Sequence, residues 1–251
     1  MPWIRTLFLH KREYEPRLIK SGKADEALRE WARVIERTPN SHDYSYGYAE
    51  FCLYLGHEAE YHRACQALLN KFSETKDPQI ADRTARACML MPFSGEALRQ
   101  CISLIERAVP LDRLKNNANY PYFVFLHGLG AYRQGNYETA ISRMKGDASR
   151  VLGPAPRLVL AMSQYKTGLV TESRKTLAAA VLAHDWTATK AVEQEGWIYH
   201  VLRREAENMI LPNLPAFLAG KYQPQDNDER MATCRRLSIY QSSCSLGSPL
   251  P

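Results

Sequence analysis

Glycine and small residues return in this chain every 33 to 34 positions, and that recurrence restricts the fold more than any other feature. Gly22 and Gly56 are 34 residues apart, and Gly135 and Gly168 are 33 apart. Around each glycine the same offsets carry small or apolar side chains. For Gly135 these are Gly128, Ala131, Ala140 and Met144; for Gly168 they are Ala161, Gln164, Ser173 and Leu177. For Gly56 they are Ala49, Cys52, Tyr61 and Cys65, with Leu68 beyond, and for Gly22 they are Leu18, Ala27 and Trp31. A self-similar period of this length marks stacked supersecondary units, each too small to bury its apolar stripe alone. Small side chains let paired helices approach closely, and the glycine supplies the backbone angles of a tight turn.

A phosphate-binding loop is the competing reading of GLGAYRQGNYETAIS, Gly128 to Ser142. Gly130 and Gly135 have the gap of a P-loop glycine pair, but Asn136 and Tyr137 stand where Lys and Ser/Thr are needed to hold phosphate and metal. The glycines are therefore read as turn residues.

Between Gly56 and Gly135 one further unit lacks its glycine. Ala85, Cys88, Ala97, Cys101 and Leu104 keep the internal spacing, MPFSG (Met91 to Gly95) supplies the turn, and the polar LDRLKNNANYP after Pro110 takes up the extra length. The expectation is an all-α superhelical solenoid of about five helix pairs. A sixth helix, from about Thr187 to Ile210, carries Ile198, Val201, Leu202, Ala206 and Met209 on one stripe. Glu193, Arg203, Arg204 and Glu207 face elsewhere, which is the pattern of a C-terminal capping helix. The helical repeat domain then covers 1–210. Segment 211–232, punctuated by Pro212, Pro215, Gly220 and Pro224, reads as an ordered linker or short turn segment, and 233–251 as a disordered tail.

RQGNYETAI and SGKADEALREWARVIERTP carry the closest likeness: they resemble the turn and second helix of the tetratricopeptide repeat (TPR), and the resemblance spans roughly Pro16 to Val181. It implies paired antiparallel helices with a concave binding face. AEFCLYLGHEAEYHRACQALLNKF, IADRTARACMLMP and IYHVLRREAENMILP are similar to the helical-repeat region of planctomycete-type bacterial proteins in which repeats follow a Ser/Thr kinase domain or a WD-repeat propeller. In that family a DNDER-like segment leads into another Ala/Leu-rich helix. MATCRRLSIYQSSCSLGSPLP follows here, which gives the expectation of a truncated or frame-shifted end. The Gly-rich loop, V-A-I-K, H-R-D and D-F-G strings that a kinase requires do not occur, so the resemblance implies at most a role accessory to kinase signalling.

The net charge of +6 is modest for 251 residues, and part of it sits at the start, on Arg5, Lys11, Arg12, Arg17, Lys20 and Lys23. This basic start supports an alternative reading as a helical-repeat regulator of nucleic acid, and a remnant of a larger kinase or WD-repeat protein is a third. No apolar run approaches the ~18 residues of a membrane span, and MPWIRTLFLH lacks the cleavage site of a signal peptide. The expectation is a cytoplasmic protein that does not engage membrane.

No residue pattern points to catalysis, a cofactor or a metal. Cys52 and Cys88 fall in the same first-helix slot of successive units and Cys65 and Cys101 in the same second-helix slot, so these four read as small core side chains. Cys234 and Cys244 lie in the tail. HEAEYH, His57 to His62, has one residue too many for a zinc helix, since a spacing of five puts the imidazoles about 140° apart at 3.6 residues per turn. His127 reads as a packed core histidine. What remains is the concave face, formed by positions ten, six, three and two before each turn. These are Tyr46, Glu50, Leu53 and Tyr54, then Asp82, Arg86, Met89 and Leu90 with Pro92 as the turn. The fourth unit gives Phe125, Leu129, Tyr132 and Arg133, and the fifth Leu158, Met162, Tyr165 and Lys166. Lys20, Arg133 and Lys166 share one slot. Aromatic residues mixed with bases suit an acidic peptide or protein partner with an apolar anchor. The opposing expectation is that several of these side chains pack under the capping helix.

Overall fold

The computed structural model describes residues 18–19, 21–92, 95–187 and 194–233, and every regular element among them is helical. The basic residues from Arg5 to Arg17, Lys20, the start of the sixth helix at 188–193, and Cys234, Cys244 and the rest of the tail lie outside the described residues.

The helices are α1 (Ala24–Arg37), α2 (His42–Tyr54), α3 (Glu58–Phe72), α4 (Pro78–Cys88), α5 (Gly95–Ala108), α6 (Tyr120–Arg133), α7 (Tyr137–Lys145), α8 (Ala155–Lys166), α9 (Val170–Leu182), α10 (Gln194–Ile210) and the short α11 (Leu214–Leu218). A 3₁₀ turn, Asp147–Arg150, follows α7. From α1 to α9 each helix packs on the next in sequence, and α2, α4, α6 and α8 also touch one another in that order.

The turn glycines do what their spacing predicts. Gly22, Gly56, Gly135 and Gly168 have φ of 75°, 82°, 81° and 82°. At each, the glycine N–H donates to the carbonyl three residues back and the next N–H reaches the carbonyl five residues back: Gly135 to Tyr132 at 3.1 Å, and Asn136 to Ala131 at 2.9 Å. This closes the last orphan carbonyls of one helix while reversing the chain into the next. In the third unit Gly95, the last residue of the MPFSG turn, has φ of 64°, and its first helix opens with a cap: Pro78 starts α4 behind Asp77, whose carboxylate accepts from Gln79 N at 2.8 Å and Ile80 N at 3.1 Å.

The repeated small positions are buried. Ala27, Ala49, Ala85, Ala140, Ala161 and Ser173 have no exposed surface, nor do Cys52, Cys65, Cys88 and Cys101, all of them free thiols. Gly128 is required by proximity: a Cβ there would sit 2.7 Å from Met144 Cε and 3.0 Å from Arg143 Cβ, so α6 and α7 meet with no room for a methyl group. Tyr61 occupies the slot that holds alanine or serine elsewhere, and its hydroxyl reaches across to Ala87 O and Cys88 O, both at 2.9 Å.

α10 departs from the expected cap. It packs on α2, α8 and α9 together, so it is covered on more than one side. Ile198, Val201, Leu202 and Ala206 are buried as the stripe predicts, but so are Arg203 and Glu207, which were expected to face away. Arg203 is accommodated over the Trp186 ring, 4.3 Å from its centroid. Segment 211–232 carries short helices. Besides α11, residues 227–233 are helical, Asp226 accepts from Glu229 N at 2.7 Å at that helix start, and Thr171 and Arg174 of α9 bind Asp228 and Asp226.

Candidate functional site

α10 lies across the row formed by α2, α4, α6 and α8, and it takes up much of the face that sequence spacing assigned to a partner. Trp197 packs at a tilt 4.6 Å from Phe51 and 5.7 Å from Trp31 between ring centroids. Arg204 donates to Leu53 O at 2.9 Å and Tyr54 O at 3.0 Å, the C-terminal carbonyls of α2, where a cation is favoured. Arg133 is clasped on both sides. Its guanidinium donates to Met89 O and Leu90 O at the end of α4, each at 2.7 Å, and to both carboxylate oxygens of Glu205 on α10, at 2.5 and 2.8 Å. Tyr132 donates to the same Glu205 at 3.2 Å.

The proposed groove residues therefore divide. Phe125, Leu129, Leu158, Met162 and Met89 are fully buried, and Leu53 and Leu90 nearly so; they are core. Tyr54 is half-buried, edge-on to His200 of α10 at 5.5 Å. Tyr132 and Arg133 belong to the Glu205 clasp. Tyr165 is half-buried and Lys166 exposed, away from the others at the end of α8. Of the shared basic slot, then, Arg133 is consumed within the protein and Lys166 alone is exposed among the described residues.

Tyr46, Glu50, Asp82 and Arg86 come together. They line a cleft of about 230 Å³ between α2, α4, the start of α6 and the start of α10. Gln79 and Arg83 complete the α4 wall, and with Asp82 and Arg86 they form one helical stripe at i, i+3, i+4 and i+7. That stripe is visible in PQIADRTAR as four polar residues on one face, although the spacing rule selected only two of them. Asn119, Tyr122 and Phe123 form a second wall, and Gln194, Glu195 and Ile198 of α10 close the third. No local pattern brings these last residues to the site, because α10 returns from more than a hundred residues further along the chain.

The charged side chains of the cleft are buried. Glu50 has no exposed surface, and Asp82 and Arg86 are 4% and 7% exposed. Glu50 Oε2 accepts from Gln194 Nε2 at 2.5 Å, and Arg86 Nη2 lies 3.4 Å from Asp82 Oδ2. Burial pushes the Glu50 carboxyl up to about 7, against the opposing pull of Arg86 and the Gln194 amide. Asp82 is raised for the same first reason, with Arg86 and Arg83 resisting. Arg83 pairs with Asp43 at 2.8 Å and lies over the Tyr46 ring at 5.4 Å; Arg86 lies 5.9 Å from the Tyr122 ring. Gly47 makes the arrangement possible, since a Cβ there would meet Trp31 Cζ2 at 2.9 Å and Gln194 Nε2 at 3.2 Å.

The other sequence candidates are elsewhere. His57 is exposed and pairs with Asp25 at 3.2 Å. His127, half-buried, donates to Val109 O at 2.7 Å, and burial lowers its pKa. Among the described residues no group of three or more His, Cys, Asp or Glu could hold a metal ion, and no helix is long and apolar enough to cross a membrane. No family model matches the chain, and no curated protein or solved structure matches it.

Proposed function

We propose that the chain is a TPR-type helical-repeat module of the solenoid class, without catalytic activity, that binds a peptide or protein partner. Support for the architecture comes from the 34-residue recurrence, the left-handed turn glycines and the contacts among α2, α4, α6 and α8. The observation that carries the function is the cleft itself. Placing Glu50, Asp82 and Arg86 out of water is costly and does nothing for the apolar core beneath them. Polar groups held rigidly on the face opposite the second helices are what a recognition site needs, because receptor side chains already fixed lose little entropy when a ligand docks. The aromatic rings of Tyr46 and Tyr122 provide the apolar contact area that anchors such interfaces.

The partner enters at the cleft and not along the whole groove, since α10 covers much of the rest. Purified protein applied to an array of synthetic peptides should retain a sequence-selective subset, and Tyr46→Ala should weaken those signals at least fivefold. Uniform or absent retention at micromolar protein would sink the reading. A binding signal that falls steeply with log salt would favour phosphate contacts, and hence the nucleic-acid alternative.

A further inference from the structure

Three polar atoms at the cleft have no hydrogen-bond partner among the described residues: Glu50 Oε1, Asp82 Oδ1 and Arg86 Nε. Each belongs to a side chain that is more than nine-tenths buried. Leaving a buried donor or acceptor unanswered costs about 1–3 kcal/mol, and more when it is charged, so three in one cleft describe the complement of something. Several neighbouring groups are already engaged. Arg83 holds Asp43, Gln194 holds Glu50 Oε2, Arg86 Nη2 holds Asp82 Oδ2, and the hydroxyls of Tyr122 and Tyr199 both donate to Glu195.

The missing partner must bring several donors with positive charge for two carboxylate oxygens, and one acceptor beside them for the Arg86 N–H. A carboxylate or phosphate would face Glu50 and Asp82 and be repelled. A lysine ammonium would satisfy those two and leave Arg86 unanswered. An internal amide has a carbonyl for Arg86 but a single uncharged N–H for two acceptors. An α-ammonium with its adjacent carbonyl matches all three. Building on the peptide-binding reading above, we infer that the cleft captures an α-aminoacyl head, the free N-terminus of a peptide, with the ammonium on Glu50 and Asp82 and the first carbonyl oxygen on Arg86 Nε. Tyr46, Tyr122 and Phe123 then face the first side chain.

Glu50 makes capture pH-dependent. The groups facing it are Tyr46 on its own helix, Asp82, Arg83 and Arg86 on α4, Tyr122 on α6, and Gln194 and Glu195 on α10. With its carboxyl near 7 in the free protein, an incoming ammonium favours the ionised form and expels a proton. Affinity rises from pH 6 to 7.5 and falls again as the peptide amine, with a pKa of roughly 8, loses its charge.

The test is calorimetric titration of the full chain with the tripeptide Leu-Ala-Ala, its C-terminal amide, its N-acetyl form and free leucine. The tripeptide and its amide bind within twofold of each other, and acetylation weakens binding at least tenfold. Glu50→Gln and Asp82→Asn each weaken the tripeptide at least tenfold while retaining wild-type circular dichroism, and Glu50→Gln abolishes the rise between pH 6 and 7.5. Equal binding of the acetylated peptide overturns the inference. So does unchanged affinity in both variants, or no binding of any probe to the wild-type chain. Loss of the inference together with Tyr46-dependent retention on the peptide array leaves the broader reading standing. Free leucine binding as tightly as the tripeptide upholds the aminoacyl site and removes the peptide as its source.

Discussion

Arg133→Ala is the substitution whose effect follows most directly from the geometry. The change deletes four hydrogen bonds at once: two to the main-chain carbonyls that end α4, and two to Glu205 on α10. Removing one member of a buried ion pair costs about 3–5 kcal/mol, mostly because the other charge is left without compensation. The two side chains are 3% and 18% exposed, so the abandoned Glu205 recovers some hydration and the cost belongs at the lower end, about 3 kcal/mol. In a chain of this length 1 kcal/mol corresponds to roughly 2–4 °C, so the melting temperature should fall by roughly 6–12 °C. Urea denaturation followed by circular dichroism measures the free energy, and a double-mutant cycle with Glu205→Ala apportions it. Because the double variant buries no lone charge, it should be at least 1 kcal/mol better than the two single losses added together. A single-variant loss below about 1 kcal/mol, or simple additivity, would refute the claim that this clasp holds α10 in place.

Three further outcomes are expected. Gly56→Ala meets no atom within 4 Å but must adopt φ of +82°, so it should cost about 1–2 kcal/mol by backbone strain alone, read from a urea melt, with Gly56→Asn costing less. Gly128→Ala drives a methyl group into Met144 and the Arg143 stem and should cost about 1–3 kcal/mol, part of which returns when Met144 is shortened to Val. Glu50 and His42 bias stability in opposite directions with pH. The folded Glu50 holds its proton up to about 7, so its contribution is complete below the unfolded value and declines as pH rises to about 7, by at most about 1.4 kcal/mol per unit. Glu50→Gln should therefore gain on wild type between pH 5 and 7. His42, held near 4 by burial, contributes above its unfolded value of 6.5 and loses that contribution as pH falls towards 4, a slope that His42→Gln should remove.

The helical architecture was legible because its determinants are local and periodic. Gly22, Gly56, Gly135 and Gly168 announce the turns through a backbone angle that other residues resist, and Cys52, Cys65, Cys88 and Cys101 fall in their slots because helix packing repeats with the chain. The site was half legible. Helical spacing placed Tyr46, Glu50, Asp82 and Arg86 on one face, but it treated Phe125, Leu129 and Met162 as equivalent surface when they are core. The difference is made by α10, whose amphipathic stripe reveals that it buries one side and says nothing of which helices it meets. Arg203 and Glu207 were misassigned for that reason: an element covered from several directions must bury some of its polar residues. Gln194 and Glu195 could enter the site only through a contact 144 residues long, such as that from Gln194 to Glu50.

Helices that touch only their neighbours in sequence can melt from one end, unit by unit, because each interface is lost independently. The bonds from Arg204 to Leu53 and from Gln194 to Glu50 link positions 151 and 144 residues apart, and α10 meanwhile rests on α8 and α9. The early and late units are thus tied in a closed circuit, and fraying at either end must also break the tie. Such a circuit favours all-or-none unfolding at the cost of speed, since it closes only across a separation of 151 residues.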